Sequence, residues 1–119
     1  MTVTTEEGNN LIIKFLGLRI DCHPNSSDCW IVDKNIKSQY HNEPLQCARF
    51  ETSWDWLMPV YKKYRVFLEE NDIKYHNEKN VLWLKHKGLI QTTLLLGDIN
   101  KFWSALVEFI KFYNQNKTT

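Results

Sequence analysis

Two stretches of the chain repeat apolar residues at intervals of three and four, and neither can be stable alone in water. In the first, Leu57, Val60, Tyr61, Tyr64, Phe67 and Leu68 share a helical face, and Lys62, Lys63, Arg65, Glu69 and Glu70 lie mostly on the other. In the second, Ile99, Phe102, Trp103, Leu106, Val107, Ile110 and Tyr113 oppose Asn100, Lys101, Ser104, Glu108 and Lys111. Thr52 and Ser53, with Asp55 completing a capping box, predict that the first helix covers 53–70 and stops at Asn71 and Asp72. Pro59 falls just past its first turn, where it removes one backbone hydrogen bond. Asp98 caps the second helix. Two amphipathic helices require a common apolar surface, and the remaining sequence must supply it.

That surface is expected from 81–97. VLWLKHK and LIQTTLLLG flank Lys87 and Gly88, are rich in β-branched and aromatic residues, and read as a hairpin. Upstream, Leu11, Ile12, Phe15 and Leu16 have helical spacing, and Gly17 stands at a C-cap position, so a short helix over 10–16 leads into a strand near 18–22. HPNSSD (23–28) is turn chemistry, and CWIVD (29–33) reads as a second strand. Asn35 to Gln46 is sparsely apolar, contains Pro44 and is expected to be a surface loop. The fold class is α+β, with a small antiparallel sheet (hairpin 81–97 plus one or two early strands) packed against two or three amphipathic helices. Residues 1–9 and 115–119 are expected to be flexible tails around a single domain spanning 10–114.

Composition narrows the function classes. In 119 residues, 15 Lys and Arg balance 14 Asp and Glu, giving a net charge of +1. That balance excludes an acidic disordered chain and a strongly basic nucleic-acid coat. No apolar run reaches the roughly 20 residues a membrane span needs. The polar start carrying Glu6 and Glu7 is unlike a secretion signal, so the expected location is a cytoplasm. Three cysteines, an odd number, argue against a closed disulfide framework and predict free thiols.

Catalytic chemistry finds little support. Cys22, His23, Cys29, His41 and Cys47 are metal-ligand residue types, but their gaps are irregular and no CxxC pair occurs. Cys22 and His23 are neighbours on a strand and point to opposite faces, which disfavours a thiol–imidazole pair. Glu6–Glu7 and Glu69–Glu70 do not face each other and read as solvated charge. GxxxxGK[ST], GxGxxG, GxSxG and HExxH are all absent, and the four glycines in the chain are too few for a phosphate cradle. The expectation is a non-enzymatic protein without metal or cofactor. Lys62, Lys63, Arg65, Lys85 and Lys87 lie near aromatic residues and are the candidate contact residues, together with the irregular 21–50 region. Trp54 and Trp56 point about 200° apart on a helix, so only one of them can face the core.

SWDWLMPV (53–60), the Asn10 to Gly17 run and the closing ALVEFIKFYN (105–114) together resemble small phage and prophage proteins. The resemblance covers about two thirds of the chain; Phe112 stands where that family usually has Trp, and 21–50 has no counterpart. It implies a phage-derived binding protein acting in the host cytoplasm on a bacterial defence protein. The candidate within that class is an anti-CRISPR protein bound to an RNA-guided nuclease with its guide RNA, type VI nucleases included. The alternative is a small nucleic-acid-binding phage regulator.

Overall fold

The computed structural model describes residues 4–77 and 81–116, with side chains described over 4–70 and 83–115. Its elements are α1 (Thr5–Phe15), β1 (Arg19–Cys22), β2 (Cys29–Val32), a one-turn 3₁₀ helix (Leu45–Cys47), α2 (Trp54–Asn77), α3 (Val81–Leu96) and α4 (Ile99–Asn116). The architecture is α+β, four helices and a two-stranded antiparallel sheet packed against them. Among the described residues, no helix is long and apolar enough to cross a membrane.

Of the expected N-terminal tail, residues 5–9 are the start of α1, and 1–3 lie outside the described residues. The Thr4 hydroxyl accepts the Glu7 amide at 3.1 Å, so the chain is helical from Thr5, and Gly8 and Asn9 are buried. Capping chemistry overrides the lack of an apolar stripe there. Gly17 ends α1 as expected, with φ +80°; its amide donates to the Lys14 carbonyl and that of Leu18 to the Ile13 carbonyl. This pair of bonds forms a Schellman motif.

β1 and β2 fall where expected, in a register that sets Arg19 opposite Val32 and Cys22 opposite Cys29. That register corrects the expectation of free thiols at two of the three cysteines: Cys22 and Cys29 form a disulfide, and Cys47 is free and exposed. The odd count excluded full pairing but not one bridge, and HPNSSD returns the chain so that the two cysteines become cross-strand partners.

The 35–46 segment is less free than a surface loop. Asn42 donates to the Ile31 carbonyl, and Ile31 donates to that of Glu43, so the segment pairs with β2. Tyr40 is buried against Phe50 and Trp56, at ring separations of 5.5 and 5.1 Å. Burial pushes the Tyr40 phenol up to about 12, and its hydroxyl donates to the Trp56 carbonyl at 2.6 Å. Beside it, the Gln39 amide donates to the Asp55 carbonyl at 2.7 Å. Asp55 lies four residues before Pro59, so its carbonyl is the one the missing proline N–H leaves open.

Helix α2 begins as expected, with the Ser53 hydroxyl as its cap, accepting from the Trp56 amide. It runs through Asn77 rather than stopping at Asn71 and Asp72. Trp56 takes the core position, and Trp54 lies half-buried on Phe102, ring centroids 5.4 Å apart.

The largest correction concerns 81–97, which is the helix α3 and not a hairpin. Trp83 and Ile90, seven apart, are buried, and half-buried His86 and Leu94 and buried Thr93 fall on the same side. Gly88 has no positive φ and makes no turn; the break comes at Gly97, with φ +71°. Thr93 suits a helix because its hydroxyl donates back to the Leu89 and Ile90 carbonyls, at 2.8 and 3.1 Å.

The common surface is therefore helical, and α4 is its centre. Phe102, Trp103, Ala105, Leu106, Val107, Phe109, Ile110 and Phe112 are all buried, more of its circumference than one stripe. The helix begins at Asp98, whose side chain accepts the Lys101 amide, and it runs through Asn116, into the expected C-terminal tail; 117–119 lie outside the described residues.

Removing the disulfide in a Cys22→Ala/Cys29→Ala variant is expected to lower stability by about 2 kcal/mol, the loop-closure value for so short a loop. Urea titration of both forms, and of the reduced parent, measures it. Asn9→Ala strands the buried Trp103 indole N–H, which now donates to Asn9 at 2.9 Å. The expected loss is about 2–3 kcal/mol, read as a lower urea midpoint with an unchanged slope.

Candidate functional site

The basic residues of α2 occupy a ridge between two clefts. Lys62, Lys63 and Arg65 are all exposed: Lys62 falls opposite the buried Leu57, Val60 and Tyr64, and Lys63 and Arg65 fall on either flank of that stripe. On one side lies a cleft of about 570 Å³, lined by Lys14, Phe15, Lys63, Val66, Phe67, Glu70, Tyr113 and Asn114. On the other lies a cleft of about 280 Å³, lined by Tyr61, Tyr64, Arg65, Leu68, Lys87, Ile90 and Gln91.

Aromatic rings support the two inner cations. The Lys63 ammonium sits 5.5 Å from the centre of the Phe15 ring, and the Arg65 guanidinium 5.9 Å from that of Tyr61. Arg65 also donates to the Tyr61 hydroxyl at 3.3 Å, which holds its pKa above the usual value. Such contacts are worth about 0.5–1 kcal/mol at exposed sites, enough to orient a flexible side chain. Among the described residues, Lys14, Lys62 and Lys63 have no carboxylate within ion-pair distance. Glu69 and Glu70 mark the acidic end of the ridge.

Four of the five expected contact residues thus gather here: Lys62, Lys63 and Arg65 on the ridge and Lys87 across the smaller cleft. Lys85 does not join them; it is exposed on α3 and lines neither cleft. Sequence reasoning missed Lys14. Only the tertiary packing that seats α1 on α4 brings it into one cleft with Lys63, and no periodicity within one segment signals that.

The irregular 21–50 region forms a separate, polar cleft of about 410 Å³. Ser27, Cys29, Leu45, Gln46 and Ala48 face Thr5, Glu6, Asn9, Asn10 and Glu51 across it. Glu51 accepts from Asn9 at 2.9 Å, and the buried side-chain oxygen of Asn10 has no hydrogen-bond partner. None of the expected basic contact residues lines this cleft, so the two parts of the expected contact surface are distinct.

Among the described residues, no group of three or more His, Cys, Asp or Glu could hold a metal ion. His86 stacks on Phe112 at 5.1 Å, with its Nδ1 buried and unpartnered. Burial, opposed by Glu108 and assisted by Lys85, pulls its pKa below the usual value. The chain matches no family model, no curated protein and no solved structure.

The depressed imidazole has a stability consequence. The unfolded chain binds a proton near pH 6.5, whereas the folded one resists it. The contribution is complete above that pH and is lost as pH falls through the lower folded-state value. Urea midpoints at pH 7.5 and 5.5 are expected to differ less in His86→Phe than in the parent. An identical difference in the two proteins would refute the assignment.

Proposed function

We propose that this chain is a non-enzymatic, phage-derived binding protein that works in the host cytoplasm by inhibiting a bacterial defence system. Its target in this reading is an RNA-guided CRISPR nuclease, and its contact surface is the basic ridge of α2. The observation that carries the reading is the ridge itself: Lys62 at its crest, Lys63 and Arg65 on its two flanks and Lys14 and Lys87 in the clefts on either side, with aromatic rings beneath Lys63 and Arg65. Among the described residues, Lys14, Lys62 and Lys63 have no carboxylate within ion-pair distance, so they can pair with an acidic or RNA-lined surface without first breaking an internal ion pair. The resemblance of SWDWLMPV and its companion segments to phage proteins supplies the biological setting.

The nucleic-acid regulator is the second reading, favoured by the same stacked cations. Net charge of +1 weighs against it, since autonomous binding to a polyanion draws on many phosphate contacts. The inhibitor is expected to block interference by one CRISPR type in a phage-plating assay. Lys62→Glu/Lys63→Glu/Arg65→Glu is expected to weaken that block by at least ~10-fold with the fold intact. Interference unchanged across CRISPR types would sink the proposal. Tight, steeply salt-dependent binding to RNA alone would instead establish the regulator.

A further inference from the structure

The larger cleft beside the ridge, about 570 Å³ in volume, is polarised along its length. Lys14 belongs to the last turn of α1, and the Lys63 ammonium lies over the next residue, 5.5 Å from the centre of the Phe15 ring. Glu70 lines the same cleft seven residues further along α2, about 10 Å from Lys63 at the rise of an α-helix. Aromatic rings join the two ends. Phe15 meets Tyr113 edge-on at 6.5 Å, and Tyr113 meets Phe67 at 4.2 Å. All three rings are half-buried, so each keeps part of its surface toward solvent.

A cleft so arranged matches a ligand with an anion at one end, a flat ring in the middle and hydrogen-bond donors at the other. Among the described residues, neither Lys14 nor Lys63 has a carboxylate within ion-pair distance, so the cationic end can pair with an outside anion. Glu70 accepts hydrogen bonds and repels a second anion, which limits the ligand to a single phosphate unit. An acidic peptide would carry its charges along the whole cleft and meet that repulsion. The volume falls within the range of small-ligand sites.

We infer that this cleft takes one unstacked nucleotide, its phosphate on Lys14 and Lys63, its base against Phe15, Phe67 and Tyr113, and its ribose hydroxyls or exocyclic amine toward Glu70. Single-stranded nucleic acid is held by the same combination, cations for the backbone and aromatic rings for the bases. One nucleotide requires one phosphate contact rather than many, which a net charge of +1 permits. Its source is a free mononucleotide or a base turned out of an RNA strand. The second source rests on the inhibitory reading, in which the strand is the guide RNA; nucleotide binding as such does not depend on it.

Amide NMR of the full chain, titrated with adenosine 5′-monophosphate, adenosine, inorganic phosphate and a single-stranded RNA hexamer, tests the inference. The monophosphate is expected to shift signals around the cleft. It should bind at least ~10-fold more tightly than adenosine or phosphate, since each lacks one of the two contacts. Lys14→Gln/Lys63→Gln is expected to weaken the monophosphate by at least ~10-fold and to leave adenosine unchanged. Both lysines are exposed, so unchanged signals elsewhere report an intact fold. A hexamer that competes for the same residues assigns the site to an RNA strand, and a cleft that binds the monophosphate but not the hexamer assigns it to a free nucleotide. No shift up to about 10 mM monophosphate overturns the inference. Phosphate binding as tightly as the monophosphate, or a double variant that binds like the parent, also overturns it. A protein that blocks interference yet binds no nucleotide overturns this inference alone; nucleotide binding without any block of interference upholds it and removes the inhibitory reading.

Discussion

The seam between α1 and α4 holds the two ends of the described chain together. A Cβ at Gly8 would collide with the Trp103 ring, so only glycine lets the indole approach the α1 backbone this closely. The next residue uses that closeness. Asn9 accepts the Trp103 indole N–H and donates to Glu51, joining groups 94 and 42 residues away in sequence. A buried amide is costly unless both its ends are paired, and here both are. That makes the seam specific as well as stable, because a slip of α1 along α4 would strand a donor and an acceptor together. Ile12 and Ile13 on α1, and Val107 and Ile110 on α4, are buried in the same core.

A second constraint acts at the start of α2. Pro59 leaves the Asp55 carbonyl without its helical partner, and Gln39 of the 35–46 segment donates to it, while Tyr40 donates to the next carbonyl, that of Trp56. The segment looks like a loop because it contains few apolar residues, yet it is tied to the helix by side-chain donors and to β2 by backbone bonds.

How much of this was legible depended on whether the signal was local. The cores of α2 and α4 are written as clean three-and-four spacing, and Gly17 and Asp98 act as the helix boundaries they resemble. The segment 81–97 misled because apolar and β-branched residues surround the whole helix. A period of two and a period of 3.6 cannot be told apart within short unbroken apolar runs such as 81–84 and 94–96. Its polar interruption at Lys87 and Gly88 imitated a turn, although the residue that ends the helix is Gly97. The ridge was legible in α2 because the three cations share one helix. Lys14 and the Asn9 network were not, because long-range packing creates them. Lys85 was misplaced with the hairpin, since a strand would have turned it with Lys87 to one face and a helix separates them.

The near-neutral composition and the basic ridge are compatible because charge is sorted in space. A chain with 15 cations and 14 carboxylates has no long-range field to concentrate it on every polyanion it meets. Exposed ion pairs contribute little to stability, so the fold loses little by giving Lys14, Lys62 and Lys63 none among the described residues. Stability comes instead from the aromatic interior, where Phe67, Trp83 and Phe109 pack at ring separations between 5.5 and 5.8 Å. Aromatic side chains do double duty here. Phe15 and Tyr61 reach the surface at its edge, and their rings hold Lys63 and Arg65 in place. Each cation thus enters a contact with part of its conformational entropy already lost on folding, which favours a particular, shape-matched partner over diffuse electrostatic binding.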